Sequence, residues 1–444
     1  MSNVRARKAL QIKMGRTSML TGIVFIIGML VRFIYTMSVD YTANNIITGG
    51  NYIEIIKWMI QNTIALPSGA NSTWSSYPVF YLLYGSVGWL LTRTGLTIET
   101  AIALLKWLSF ILVMLASAFM ITIARKLIGY KNGMLPIVSI LIMFNPLMMF
   151  QSTWLNPSPL VLMLASASIL LLINWWRSCY LASITGVGIL TGIMLTTQPL
   201  SAMQFMIPVL IILILGCIMH RSLLHRTGVI NAIAWLVIPF IFIGLIAPVC
   251  RHAIDNAPLF ALPNTNGFVD NSDVVALTAA STPYYDSFMP FITGSDNVLI
   301  RNWKLLLSGG LNYDDRMLTM LGVMLMALSV FIIISLLVNA SWRSIINSIK
   351  HDDNAYIVII MMTIMALIPF NSGYVWLALL PVLVSSLLTI STPVDGSFRS
   401  RILSGFVVCF MIVSMLFALF ITHTDNTLLG WWLPSVSETS LFAV

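Results

Sequence analysis

Residues 17–39 read TSMLTGIVFIIGMLVRFIYTMSV, and Arg32 is the one charged side chain in the run. A helix needs about 20 predominantly apolar residues to cross a hydrocarbon core of about 30 Å, so this stretch predicts a membrane-spanning helix. It is too long for the apolar region of a signal peptide, and no small-residue cleavage site follows, so it is expected to remain as a span. Similar runs recur toward the far end of the chain, whose 444 residues are 58% hydrophobic and only 9% charged. No water-facing surface of a globular protein tolerates that ratio. The sequence therefore predicts an all-α, polytopic membrane bundle, a single domain over residues 1–444 without linker, low-complexity segment or convincing repeat.

Charge then orients the bundle. The net charge of +8 is spread over short loops, which suits topology and lipid headgroups and gives no case for nucleic acid. Residues 1–16 carry Arg5, Arg7, Lys8, Lys13 and Arg16, and the excess of basic residues in cytoplasmic loops puts this segment in the cytoplasm. If the weakly apolar helix 77–91 lies in the outer interface, the later basic loops also fall inside. They hold Arg125, Lys126 and Lys131; Arg177; Arg221 and Arg226; Arg343 and Lys350; and Arg399 and Arg401.

The expected spans are 17–38, 99–124, 133–151, 158–176, 181–197, 201–219, 229–250, 316–340, 355–370, 373–391 and 402–422, about eleven in all. That topology leaves the tail 423–444 outside, and in a prokaryote the membrane would be the plasma membrane. Polar sequence collects outside as well, in the loop 39–98, the turns 144–159 and 196–199, the long loop 251–315 and the turn 371–374. Any chemistry is expected on that extracytoplasmic side. Cys179, Cys217, Cys250 and Cys409 are scattered without paired spacing, which suggests neither a disulfide framework nor a zinc site. No metal-ligand set stands out. The pairs Asp270/Asp273 and Asp314/Asp315 could hold a divalent cation, the one cofactor the sequence suggests.

The first outer loop has its own order. Tyr52, Ile55, Ile56 and Met59 recur at helical spacing, with Glu54, Lys57 and Gln61 on another face, so residues 51–61 predict an interfacial helix with its apolar side on lipid or on the bundle. After PSGANSTWSS, Tyr77-Pro78 opens a second short helix, with Pro at a first helical position. Two flat helices would make a lid over the outer face.

These parts, in this order, resemble a GT-C-type integral membrane glycosyltransferase that uses a polyprenyl-phosphate sugar, in the branch related to GPI mannosyltransferases. That branch has an Arg in span one, an outside Asp seven residues before a Trp, and then Tyr-Pro-Pro. This chain has Arg32, Asn51 seven residues before Trp58, and Tyr77-Pro78-Val79. ALLKWLSFIL at 103–112 is similar to the family's Leu-Leu-Lys segment, and FNPLMMFQSTWLNPSPL at 144–160 to its Asn-Pro followed by a Ser and a Trp. GSDNVLIRNWKLLLSGG at 294–310 is similar to its Asn-rich segment ending Asn-x-Trp. The chain departs from the family at three places. Asn51 stands where the family carries its catalytic Asp, no Lys accompanies Thr197-Gln198, and a late His-Glu-Arg-Tyr type of motif is reduced to Asn371-Ser372-Gly373-Tyr374.

The resemblance implies transfer of a sugar from a polyprenyl-phosphate carrier to a glycan, lipid or protein acceptor outside, by one acceptor-side base and stabilisation of the leaving phosphate. An amide takes no proton from a hydroxyl as a carboxylate does, so Asp40 and Glu54, the carboxylates nearest Asn51 in sequence, are the candidate bases. The bland alternative is that Asp40 caps the exit of span one and Glu54 pairs with Lys57. Arg32, Lys106, Arg301 and Lys304 are candidates for the donor phosphate and lipid, although Arg32 could equally snorkel. Trp58, Tyr77, Trp154, Asn156, Gln198, Trp303 and Tyr374 are candidates for sugar and acceptor; Trp and Lys are also what any membrane interface attracts. Two other readings are carried forward: a non-catalytic scaffold of the same fold serving a partner membrane protein in glycosylation or envelope assembly, and a flippase for lipid-linked sugars. An absence of paired broken helices counts against the flippase.

Overall fold

A computed structural model describes residues 2–38, 52–64, 78–128, 134–219, 226–255, 354–367, 378–379, 381–383 and 385–386. The helices are α1 Ser2–Ser38, α2 Tyr52–Gln61, α3 Val79–Arg93, α4 Ile98–Ile128, α5 Leu135–Met143 and α6 Pro146–Gln151. They continue as α7 Ser158–Ser178, α8 Leu181–Leu195, α9 Pro199–Met219, α10 Arg226–Asp255 and α11 Asn354–Leu367. No strand occurs among the described residues. Five of these helices contain stretches long and apolar enough to cross a membrane: Thr17–Ser38, Ile98–Ile128, Ser158–Ser178, Ser201–Ile218 and Gly228–Ala247. The described residues are thus all-helical, and the five apolar helices are compatible with an integral membrane protein. Expected spans 316–340 and 402–422 lie outside the described residues, and 373–391 lies mostly outside them.

The apolar run 133–151 is not one continuous helix. Pro146 has no N–H to return to the carbonyl of Ile142, so the helix stops at Met143, turns at Phe144 and Asn145, and restarts as the short α6. The broken end is closed from another helix. Arg32 of α1 donates through Nη2 to Ile142 O at 2.7 Å and through Nε to Met143 O at 3.0 Å. Its Nη1 donates to Ser117 Oγ of α4 at 2.6 Å, and Ser117 Oγ donates in turn to Val113 O. Carbonyls at a helix C-terminus carry partial negative charge and lack intrahelical partners, so a cation there satisfies both needs.

Helix direction follows from the contacts. Phe33 packs its ring on Trp107 and Phe110 while Arg32 reaches Met114 and Ser117, so α1 runs antiparallel to α4. Arg177 at the end of α7 donates to Lys126 O at the end of α4, so those two helices finish at the same end of the bundle. The basic first half of α1 therefore shares one end with Arg125, Lys126 and Arg177. The turns around Trp154 and Thr196 occupy the opposite end.

α7 and α8 form a hairpin through Cys179, which adopts a left-handed φ of 51° and donates its N–H to Trp175 O. α8 then packs most closely on α10, because Gly188 and Gly192, four residues apart, let the two backbones approach. A Cβ on Gly188 would sit 2.3 Å from Leu236 O, and one on Gly192 would sit 3.1 Å from Phe240 O. Along α1 and α10 large apolar side chains such as Ile26, Leu30, Ile238 and Phe242 are exposed, whereas α7 is largely buried. Exposed apolar stripes of that extent suit a hydrocarbon solvent.

Candidate functional site

The segment between α1 and α4 supplies one wall. α2 buries Ile55, Ile56, Met59 and Ile60 against α3 and α4, so its apolar face lies on the bundle and extends one residue beyond the expected set. Tyr52 sets its ring against Phe80 and Tyr81. Pro78 occupies the cap of α3 rather than its first turn. Glu54 is exposed, and Lys57 pairs with Glu99 of α4 at 3.0 Å, not with Glu54 as the bland reading expected. α2 ends tightly, with Ile64 N–H donating to Met59 O and both Thr63 and Ile64 left-handed.

Behind this wall lies a belt of buried polar groups, drawn from two turns at the same end of the α7–α8 hairpin. One turn contributes Asn145, Gln151, Ser152, Thr153, Asn156 and Ser158; the other contributes Thr196, Thr197, Gln198, Ser201 and Gln204. The chain can bury so much polar surface because most of it is bonded. Asn156 Oδ1 accepts from Ser158 N–H at the start of α7, Thr197 Oγ1 donates to Ile193 O, and Gln204 Nε2 donates to Met365 O of α11.

The turns are tied to α3 and α4. Val79 N–H donates to Thr196 O at 3.4 Å. Ser109 Oγ of α4 donates to Trp154 O at 2.5 Å, so Tyr84 OH of α3 is the donor in its 2.7 Å bond to Ser109. Burial pushes the Tyr84 phenol above its ordinary range, against a smaller downward pull from the Ser109 bond, which keeps it a neutral donor.

The candidates from sequence divide as follows. Trp154, Asn156 and Gln198 lie in the belt. Lys106 is half-buried on α4, three residues before Ser109, which puts the two side chains on neighbouring positions of one helix face. Trp58 is half-buried on α2. Arg32 is fully buried nearer mid-bundle, with its donors directed to α5 and α4, which is neither snorkelling nor an outer-rim position. Asp40, Asn51, Tyr77, Arg301, Trp303, Lys304 and Tyr374 lie outside the described residues, as do Asp270, Asp273, Asp314 and Asp315.

Among the residues that the sequence reading did not single out are Tyr84, Ser109 and Gln151. Tyr84 and Ser109 sit singly in apolar helices, and only the fold pairs them. Gln151 is fully buried, and among the described residues neither its Nε2 nor its Oε1 meets a hydrogen-bond partner. Its signal was its place in the run Gln151-Ser152-Thr153 before Trp154, within a turn already assigned to the polar side. Compared with known proteins, the chain matches no family model and no characterised protein.

Proposed function

We propose that this protein transfers a sugar from a polyprenyl-phosphate carrier to a glycan, lipid or protein acceptor on the extracytoplasmic side of the membrane, as a GT-C-type glycosyltransferase. One observation carries the reading. Two segments that resemble that family, 103–112 and 144–160, meet through the Ser109–Trp154 bond, and α3, which follows Tyr77-Pro78, joins them through Tyr84 and joins the turn at Thr196 through Val79. In this reading the carrier's phosphate lies by Lys106 or Arg301, its tail runs along the apolar helices, and the acceptor-side base is Asp40 or Glu54. The belt end is the outer end and the basic end is cytoplasmic.

A second reading, a non-catalytic scaffold of the same fold, is favoured by Asn51 standing where the family has its Asp. The case against a flippase rested on an absence of paired broken helices. One broken helix is present at residues 144–145, yet its terminal carbonyls bond Arg32 and offer little to a transported ion. The test is binding of undecaprenyl phosphate in nanodiscs. Lys106→Ala or Arg301→Ala should weaken it by about 1.5–3 kcal/mol, the range of a hydrogen bond to a charged group, while Arg343→Ala in a cytoplasmic loop should not. Equal losses at all three would mean general lipid attraction and would remove the phosphate site.

A further inference from the structure

We infer that the Gln151 carboxamide reads the sugar hydroxyls of the lipid-linked donor, an inference that rests on the transferase reading above. Gln151 ends α6 and is wholly enclosed, and both polar atoms of its side chain lack a protein partner among the described residues. Its neighbours in the turn are internally bonded: Ser152 Oγ donates to Met148 O, and the Gln151 main-chain carbonyl accepts from Trp154 N–H. The turn is therefore held without the carboxamide. A buried amide with neither end bonded weakens a fold, whereas an apolar side chain of similar size would not.

The chemistry of the amide narrows its partner. Nε2 only donates and Oε1 only accepts, side by side. A phosphate, which only accepts, would suit Nε2 and repel Oε1; a cation would suit Oε1 alone. Adjacent hydroxyls of a sugar, each both donor and acceptor, satisfy the two ends at once. The position agrees with this. Gln151 precedes Trp154, whose carbonyl is anchored to Ser109, and Ser109 is one turn from Lys106, a residue assigned to the phosphate. Charge recognition and hydroxyl recognition would then fall to different residues of one belt.

The inference is tested in nanodiscs with undecaprenyl phosphate and with undecaprenyl phosphates carrying mannose, glucose or arabinose, following binding by tryptophan fluorescence and stability by thermal unfolding. The unaltered protein should bind one glycosylated carrier more tightly than the bare one. Gln151→Leu should lower the affinity for that carrier about tenfold, the loss of two neutral hydrogen bonds, and leave the bare carrier and the Tm unchanged or the Tm raised. Gln151→Met, which keeps the length but has no hydrogen-bond donor, should show the same selective loss and serves if the Leu variant does not fold. Equal loss for bare and glycosylated carriers, or a lowered Tm with unchanged discrimination, would make Gln151 a structural residue and overturn the inference. If both lipids bind and neither variant alters their ratio, only this inference falls. If no carrier binds the unaltered protein, the transferase reading falls and this inference with it.

Discussion

Removing the guanidinium of Arg32 should destabilise the bundle at the break between α5 and α6 rather than loosen the grip on a substrate. The side chain holds Ile142 O, Met143 O and Ser117 Oγ. Ser117 keeps its bond to Val113 O when Arg32 is lost, but Pro146 cannot supply the N–H that Ile142 O would then need. Arg32→Met therefore leaves two buried carbonyls exposed to an apolar interior. Each unsatisfied group costs about 1–3 kcal/mol in the mutational record. Hydrogen bonds between membrane helices average nearer ~0.6 kcal/mol, and removing a desolvated charge returns part of the cost. The net expectation is a loss of about 2–4 kcal/mol for Arg32→Met. Arg32→Lys should lose about half of that, since an ammonium cannot span acceptors on two helices as the planar fork does. Unfolding free energies in bicelles by steric trapping would measure both. The reasoning is refuted if Arg32→Met is as stable as the unaltered protein, or if Arg32→Lys keeps full stability and loses affinity for undecaprenyl phosphate, the signature of a direct phosphate ligand.

Two further substitutions test the packing and the belt. Gly188→Val should force α8 from α10, because even its Cβ would lie 2.3 Å from Leu236 O; thermal unfolding should register a loss of more than about 2 kcal/mol, whereas Gly186→Val, which meets only the flexible end of Leu171, should lose less. Tyr84→Phe removes one neutral bond and leaves Ser109 bound to Trp154 O, so its cost should be about 0.5–1.5 kcal/mol; no change in stability would show that the α3–α4 link is idle.

Much of the architecture was legible where one physical rule dominates. Unbroken apolar length marked α1, α4, α7, α9 and α10, and the period of Ile55, Ile56 and Met59 marked both the existence of α2 and its buried face. Ile60 joins that face because α3 presents Gly88 opposite it, a packing detail no periodicity carries. The run 133–151 misled because hydropathy counts apolar atoms and is blind to the carbonyl that Pro146 orphans. Arg32 misled for the same reason: a lone cation in an apolar run suggests a ligand or a snorkelling side chain, and its acceptors lie 85 to 111 residues away in sequence. At the site, the turns 144–159 and 196–199 were visible as polar interruptions. Which of their side chains would be bonded internally, and that Gln151 would not be, depends on how the turns meet α3 and α4.

The central claim is chemical, and release of labelled sugar from undecaprenyl-phosphate hexoses or pentoses by the protein in proteoliposomes tests it most directly. The account predicts turnover by the unaltered protein that is abolished by either Asp40→Asn or Glu54→Gln, with the other change silent and with carrier binding intact, because only proton transfer is removed. Turnover that survives both changes and their combination would take the active centre away from this loop. An unaltered protein that binds the carriers yet releases no sugar, and gains turnover on Asn51→Asp, would contradict the transferase account and establish the scaffold reading in its place.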